Sequence, residues 1–96
     1  MTVVTIEYLL KFREITGRDR EVMIVEDNAT IKDILKRLES RYGEKFMKEF
    51  TNPSGDAIAG NVLILLNGRT IRIPEDLNTS VINDDVITIT HVVEGG

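Results

Sequence analysis

Val4, Ile6, Tyr8 and Leu10 fall on one parity with Thr5 and Glu7 on the other, the period-two pattern of a strand buried on one face. Phe12 and Ile15 carry apolar character into what reads as a short irregular turn, and Thr16, Gly17, Arg18 and Asp19 supply turn chemistry. A second run over residues 21–25 then predicts a hairpin with the first. Thr30 followed by Asp33 resembles a capping box, and Ile31, Ile34, Leu35, Leu38 and Tyr42 recur at helical spacing. Lys36, Arg37 and Arg41 crowd the last turns, where cations oppose the negative end of the helix dipole. Gly43 stands where a left-handed cap is expected.

Phe46, Met47 and Phe50 predict a second short helix over residues 44–50, broken by Asn52, Pro53, Ser54, Gly55 and Asp56. Residues 51–60 are expected to form a mobile loop. The uninterrupted run Val62–Leu66 reads as a central strand, and Asn67-Gly68 is a strong hairpin signal. A short strand over residues 70–73 ends at Pro74, and a polar connection spans 78–85. Ile87 and Ile89 alternate with Thr88 and Thr90 in a final strand running through His91, Val92 and Val93. This order of elements is an α+β layout, one main helix packed on a mixed sheet, with the last strand expected parallel beside the first. Its core is expected to draw on Ile6, Tyr8, Ile34, Leu35, Leu38, Val62, Ile64, Ile87 and Ile89.

At 96 residues the chain is the size of one small domain, residues 1–96. Sixteen acidic against twelve basic residues leave a net charge of -4, which gives no general attraction to nucleic acid or anionic membrane. With no cysteine and one histidine there is no thiolate metal site, disulfide, cysteine nucleophile or multi-histidine site. No metal ligand set and no bound cofactor are expected. The apolar N-terminus lacks a basic start and carries Glu7 and Lys11, unlike a secretory signal, and no stretch reaches membrane-spanning length. A cytoplasmic location is expected.

The acidic pairs Glu26-Asp27, Glu75-Asp76 and Asp84-Asp85 lie beside turns, with no nucleophile or metal partner nearby, so no catalytic residue is assigned. His91 stands alone on its strand and reads as a surface or packing residue. Lys32, Lys36, Arg37 and Arg41 are interleaved with Asp33 and Glu39, the pattern of a solvated, ion-paired helix face. The feature that propensity and burial do not explain is Gly95-Gly96 directly after a strand. Unbranched glycines allow a carboxylate to be threaded into a narrow site of another protein.

Residues 4–17 (VTIEYLLKFREITG), 29–35 (ATIKDIL), 66–69 (LNGR), Asp84-Asp85-Val86 and Gly95-Gly96 together resemble the MoaD and ThiS type of ubiquitin-like sulfur carriers, with the related small archaeal modifiers. The resemblance covers nearly the whole chain and favours the MoaD-like branch. It implies a β-grasp fold and a carrier without catalysis of its own. A ubiquitin-activating-type adenylyltransferase would use ATP to join AMP to the Gly96 carboxylate, with Gly95 and Glu94 forming the recognised tail, residues 94–96. A sulfur donor would then convert Gly96 to a thiocarboxylate. In the MoaD branch the tail enters the large subunit of molybdopterin synthase, in modifier members Gly96 forms an isopeptide bond with a target lysine, and transfer RNA is a further sulfur acceptor. Residues 89–94 depart from the MoaD pattern, which has aromatic residues and a proline pair there, so these acceptors stay open. The alternatives from other classes are a docking module with idle glycines and a small enzyme built on the acidic pairs.

Overall fold

The computed structural model describes residues 1–93. Five strands and three helices follow in the order β1 (Thr2–Tyr8), α1 (Lys11–Thr16), β2 (Arg20–Val25), α2 (Ile31–Tyr42), α3 (Glu44–Phe50), β3 (Val62–Leu66), β4 (Arg69–Thr70) and β5 (Val86–His91). They form one mixed sheet of order β2-β1-β5-β3-β4. β1 and β5 run parallel, with Thr5 opposite Val86 and Tyr8 opposite Ile89. The remaining pairs are antiparallel.

The inward parity of β1 places Val4, Ile6 and Tyr8 in the core, where they meet Ile34, Leu35 and Leu38 of α2. All nine residues expected in the core are buried. Burial of each large apolar side chain contributes up to about 1.5–3 kcal/mol, which is why this stripe dictates how the helix lies on the sheet. α2 starts with the expected reciprocal cap. The Asp33 amide donates to Thr30 Oγ1 at 3.2 Å, and the Thr30 amide donates to Asp33 Oδ2 at 2.9 Å.

Several expectations are corrected. Residues 11–16 form a helix rather than an irregular turn, because the wholly buried Phe12 anchors them on Phe46 and Phe50 of α3. β1 accordingly ends at Tyr8, and Leu10 leaves the strand parity with φ 54°, exposed. The central strand is β5, not β3. Thr88 is buried between Glu7 of β1 and Leu65 of β3, with its Oγ1 donating to Glu7 Oε1 at 3.0 Å, and Thr90, opposite Leu63 of β3, is buried as well. β4 is only two residues long, and β5 stops at His91. Gly43 has positive φ (70°) but ψ -149°, so it joins α2 to α3 as an extended bend rather than a left-handed helical cap. Residues 51–60 do form a connecting loop, as expected, and within it Thr51 bridges to Ile58 and Asp56 accepts from Asn52 and Ser54.

All three helices cover one face, and the opposite face of the sheet carries no helix. No helix of the described residues is long and apolar enough to cross a membrane.

Candidate functional site

β5 delivers the chain from the centre of the sheet to the tail. Beyond the strand the Val92 amide donates to the Asn61 carbonyl at 2.8 Å, the last such tie among the described residues. Glu94, Gly95 and Gly96, the tail singled out from the sequence, lie outside the described residues.

A shallow depression surrounds the root of this tail. Leu63 and Leu65 point to the helix-free side of β3, Thr90 lies opposite Leu63, and Leu9, Leu10 and Val93 complete an apolar surface with Arg13 at its rim. Leu10 is held there by backbone geometry. The Leu9 amide donates to the Ile89 carbonyl at 3.1 Å, and the turn into α1 sets the positive φ that turns the next side chain outward. Val93 is 69% exposed, a large apolar side chain on a surface bordered by other apolar groups.

Below the root, His91 stacks on Phe12 with ring centroids 4.7 Å apart and planes 18° from parallel. Its Nε2 is 3.2 Å from Glu49 Oε1, but the two are not aligned for a hydrogen bond. The ring therefore packs the strand end against α1, in keeping with the packing role expected of it.

The acidic pairs are not brought together. Asp27 accepts from Thr2 Oγ1 at 2.9 Å and faces the terminal amine. Asp76 holds Arg72, and buried Asp85 accepts from Asn67 Nδ2 and the Ile82 amide. Each shapes a turn. Among the described residues no group of acidic or histidine side chains is arranged to hold a metal ion.

The helix cations also differ from expectation. Arg41 pairs across to Glu21 at 2.5 Å and Arg37 donates to the Ile24 carbonyl at 2.9 Å, so both reach β2 rather than Asp33 or Glu39. Glu21 is the polar centre that the sequence reading missed. It is 7% exposed and accepts from Tyr8 Oη at 2.6 Å and from Tyr42 Oη. Burial pushes its carboxyl up, but the hydroxyls of Tyr42 and Tyr8 and the Arg41 charge outweigh that and hold it below its ordinary value. Tyr8 is pushed well above the usual phenol range by burial first and by Glu21 second. The available signal was parity: Glu21 shares the inward side with Met23 and Val25, opposite Ile6, so it required buried partners.

A mixed sheet with parallel first and last strands at its centre, and helices on one face, defines the ubiquitin-like β-grasp class. The sequence profile of the ThiS family matches residues 6–96, and the chain belongs to that family. It is therefore one of the small ubiquitin-like carrier and modifier proteins, which are not enzymes themselves. No curated protein sequence matches it significantly. Among solved structures, small archaeal modifier protein 1 from Methanosarcina acetivorans is 28% identical with TM-score 0.76, over 100% of this chain and 98% of that one. The HVO 2177 protein of Haloferax volcanii is 25% identical with TM-score 0.77, over 99% and 87%. A putative molybdopterin converting factor subunit 1 from Pyrococcus furiosus, 23% identical with TM-score 0.75 over 97% and 100%, shares the fold.

Proposed function

We propose that the chain carries sulfur on the Gly96 carboxylate. In the first step that carboxylate attacks the α-phosphorus of ATP on a ubiquitin-activating-type adenylyltransferase, and pyrophosphate leaves. Hydrosulfide-level sulfur then displaces AMP from the acyl adenylate and leaves a thiocarboxylate. The observation that carries this reading is the family match running through Gly96 in a chain whose central strand leads to that tail. The activation chemistry belongs to the partner, which brings the ATP, and this chain supplies the carboxylate that is activated. The apolar surface of Leu63, Leu65 and Val93 is the docking face for that enzyme, because a partner engaging the tail must also meet its root. Gly95 and Glu94 are the residues its channel recognises.

The sulfur goes to the dithiolene precursor of molybdopterin, on a synthase large subunit, or to transfer RNA, in the cytoplasm where ATP is supplied. The likeness to the Methanosarcina modifier protein favours a second reading, conjugation of Gly96 to lysines of target proteins. Incubation with the activating enzyme of the same cell, ATP and sulfide separates them. Intact mass spectrometry finds oxygen replaced by sulfur if the chain is a carrier, and isopeptide-linked products when lysine-bearing proteins are added if it is a modifier. Unmodified protein in both arms overturns the proposal.

A further inference from the structure

Leu10 breaks two local rules at once. The Phe12 amide donates to the Leu9 carbonyl at 3.2 Å, so Leu9 to Phe12 is a tight turn whose first central residue, Leu10, has φ 54° and ψ -127°. That is the backbone region a type II′ turn reserves for glycine, because a Cβ there meets the neighbouring backbone. Among the described residues the other non-glycine positions with positive φ are Asn28, Asn67 and Asp84, residue types that enter positive φ at little cost. Leu10 is also the N-cap of α1, and no side-chain hydrogen bond closes the first turn as a Ser, Thr, Asn or Asp would.

The core does not offset this cost. Leu10 is 53% exposed and lies outside the cluster that Phe12, two residues on, enters. Its side chain instead borders the depression at the tail root, beside Leu9, Leu63, Leu65 and Val93. A strained backbone that internal packing does not require marks a side chain held out for another molecule. Chain length limits which molecule that is. Gly96 follows Val93 by three residues, which fully extended span at most about 10 Å, so an enzyme that closes on the Gly96 carboxylate also lies against this depression.

We propose that Leu10 is the knob by which the activating enzyme holds this chain while it works on Gly96, seated in an apolar pocket of that enzyme. The assignment rests on the carrier reading above and names the side chain that gives the tail-root surface its affinity. The contact is the same before and during AMP transfer. Leu10 therefore contributes to binding and not to the chemical step.

The test is adenylation of the full chain by the activating enzyme of the same cell, followed by intact mass at varied carrier concentration, beside urea unfolding. Leu10→Gly removes the side chain and the strain together. Its urea midpoint should rise at unchanged slope, while KM for the carrier rises about tenfold and kcat keeps its parental value. Leu10→Ala should show the same rise in KM, and Leu10→Met, which keeps the apolar bulk, should recover most of it. A gain in stability joined to a loss in binding is not what a packing role produces. A parental KM or a lowered midpoint for Leu10→Gly, a loss in kcat alone, or equal defects in Leu10→Ala and Leu10→Met would each overturn the proposal. Normal adenylation with failed transfer to the sulfur acceptor, or a parent dimer that Leu10→Gly dissociates, would overturn it too, by giving the surface another occupant. A parent that gains no AMP removes the carrier reading and this inference with it, whereas a parent and Leu10→Gly adenylated alike remove the inference alone.

Discussion

Phe12 and His91 lie face to face, 4.7 Å between ring centroids, and this contact fastens α1 to the strand that leads into the tail. Phe12 is wholly buried and also meets Phe46 and Phe50, so one side chain joins α1, α3 and β5. Phe12→Ala is expected to cost about 3–5 kcal/mol in denaturant unfolding. A loss below about 1 kcal/mol would show that the aromatic cluster is not part of the stable core.

Leu35 lies on the buried stripe of α2 at 3% exposure. Leu35→Ala should destabilise by about 2–5 kcal/mol, measured as a shift in midpoint with unchanged slope. An effect well under 1 kcal/mol would mean that another face of the helix meets the sheet.

Glu21 sets part of the acid limit of the fold. Its folded carboxyl titrates below the ordinary 4.5, so its stabilisation is complete above that value and is lost as pH falls through the lower folded value. Glu21→Gln leaves Tyr8, Tyr42 and Arg41 without their shared acceptor charge. It should cost about 1–3 kcal/mol near neutral pH, the lower part of that range applying if half-exposed Arg41 is well solvated. The difference between parent and variant should shrink on acidification through that window. A difference constant with pH would contradict the assignment, and the comparison cancels exposed Asp27, Asp33, Asp56 and Asp76, which are also held low.

Val93→Asp changes an exposed side chain and should leave stability within about 0.5 kcal/mol. If the tail-root surface docks the activating enzyme, adenylation by that enzyme should fall by about tenfold or more, since a charge is placed in an apolar contact. Adenylation at the parental rate would remove this surface from the docking face.

Much of the layout was legible because it rests on strong periodicity. The parity of Val4, Ile6 and Tyr8, the Thr30 and Asp33 cap, and the stripe from Ile31 to Leu38 all follow local rules that the core reinforces. The parallel β1 and β5 pair was expected from a sheet centred on residues 62–66, and the pairing holds although the centre is β5. α1 was not legible, because a six-residue helix with no side-chain cap is set by burial of Phe12 alone. The centrality of β5 was hidden by Thr88 and Thr90, whose alternation mimics a solvent-facing parity although both are buried. Arg41 and Glu21 are twenty residues apart, so a pattern of helix-spaced neighbours assigned the cation to the wrong partner. For the tail, the paired glycines and the family resemblance supplied the reading.

The most direct measurement of the central claim is ATP-dependent adenylation of the parent chain and of Gly95→Val by the same activating enzyme, read as intact mass. The parent is expected to acquire AMP and then, with sulfide, a thiocarboxylate. Gly95→Val should fold with unchanged stability and acquire neither, because a branched side chain does not pass where two glycines must thread. Equal adenylation of Gly95→Val, or a parent that gains no AMP, would contradict the account.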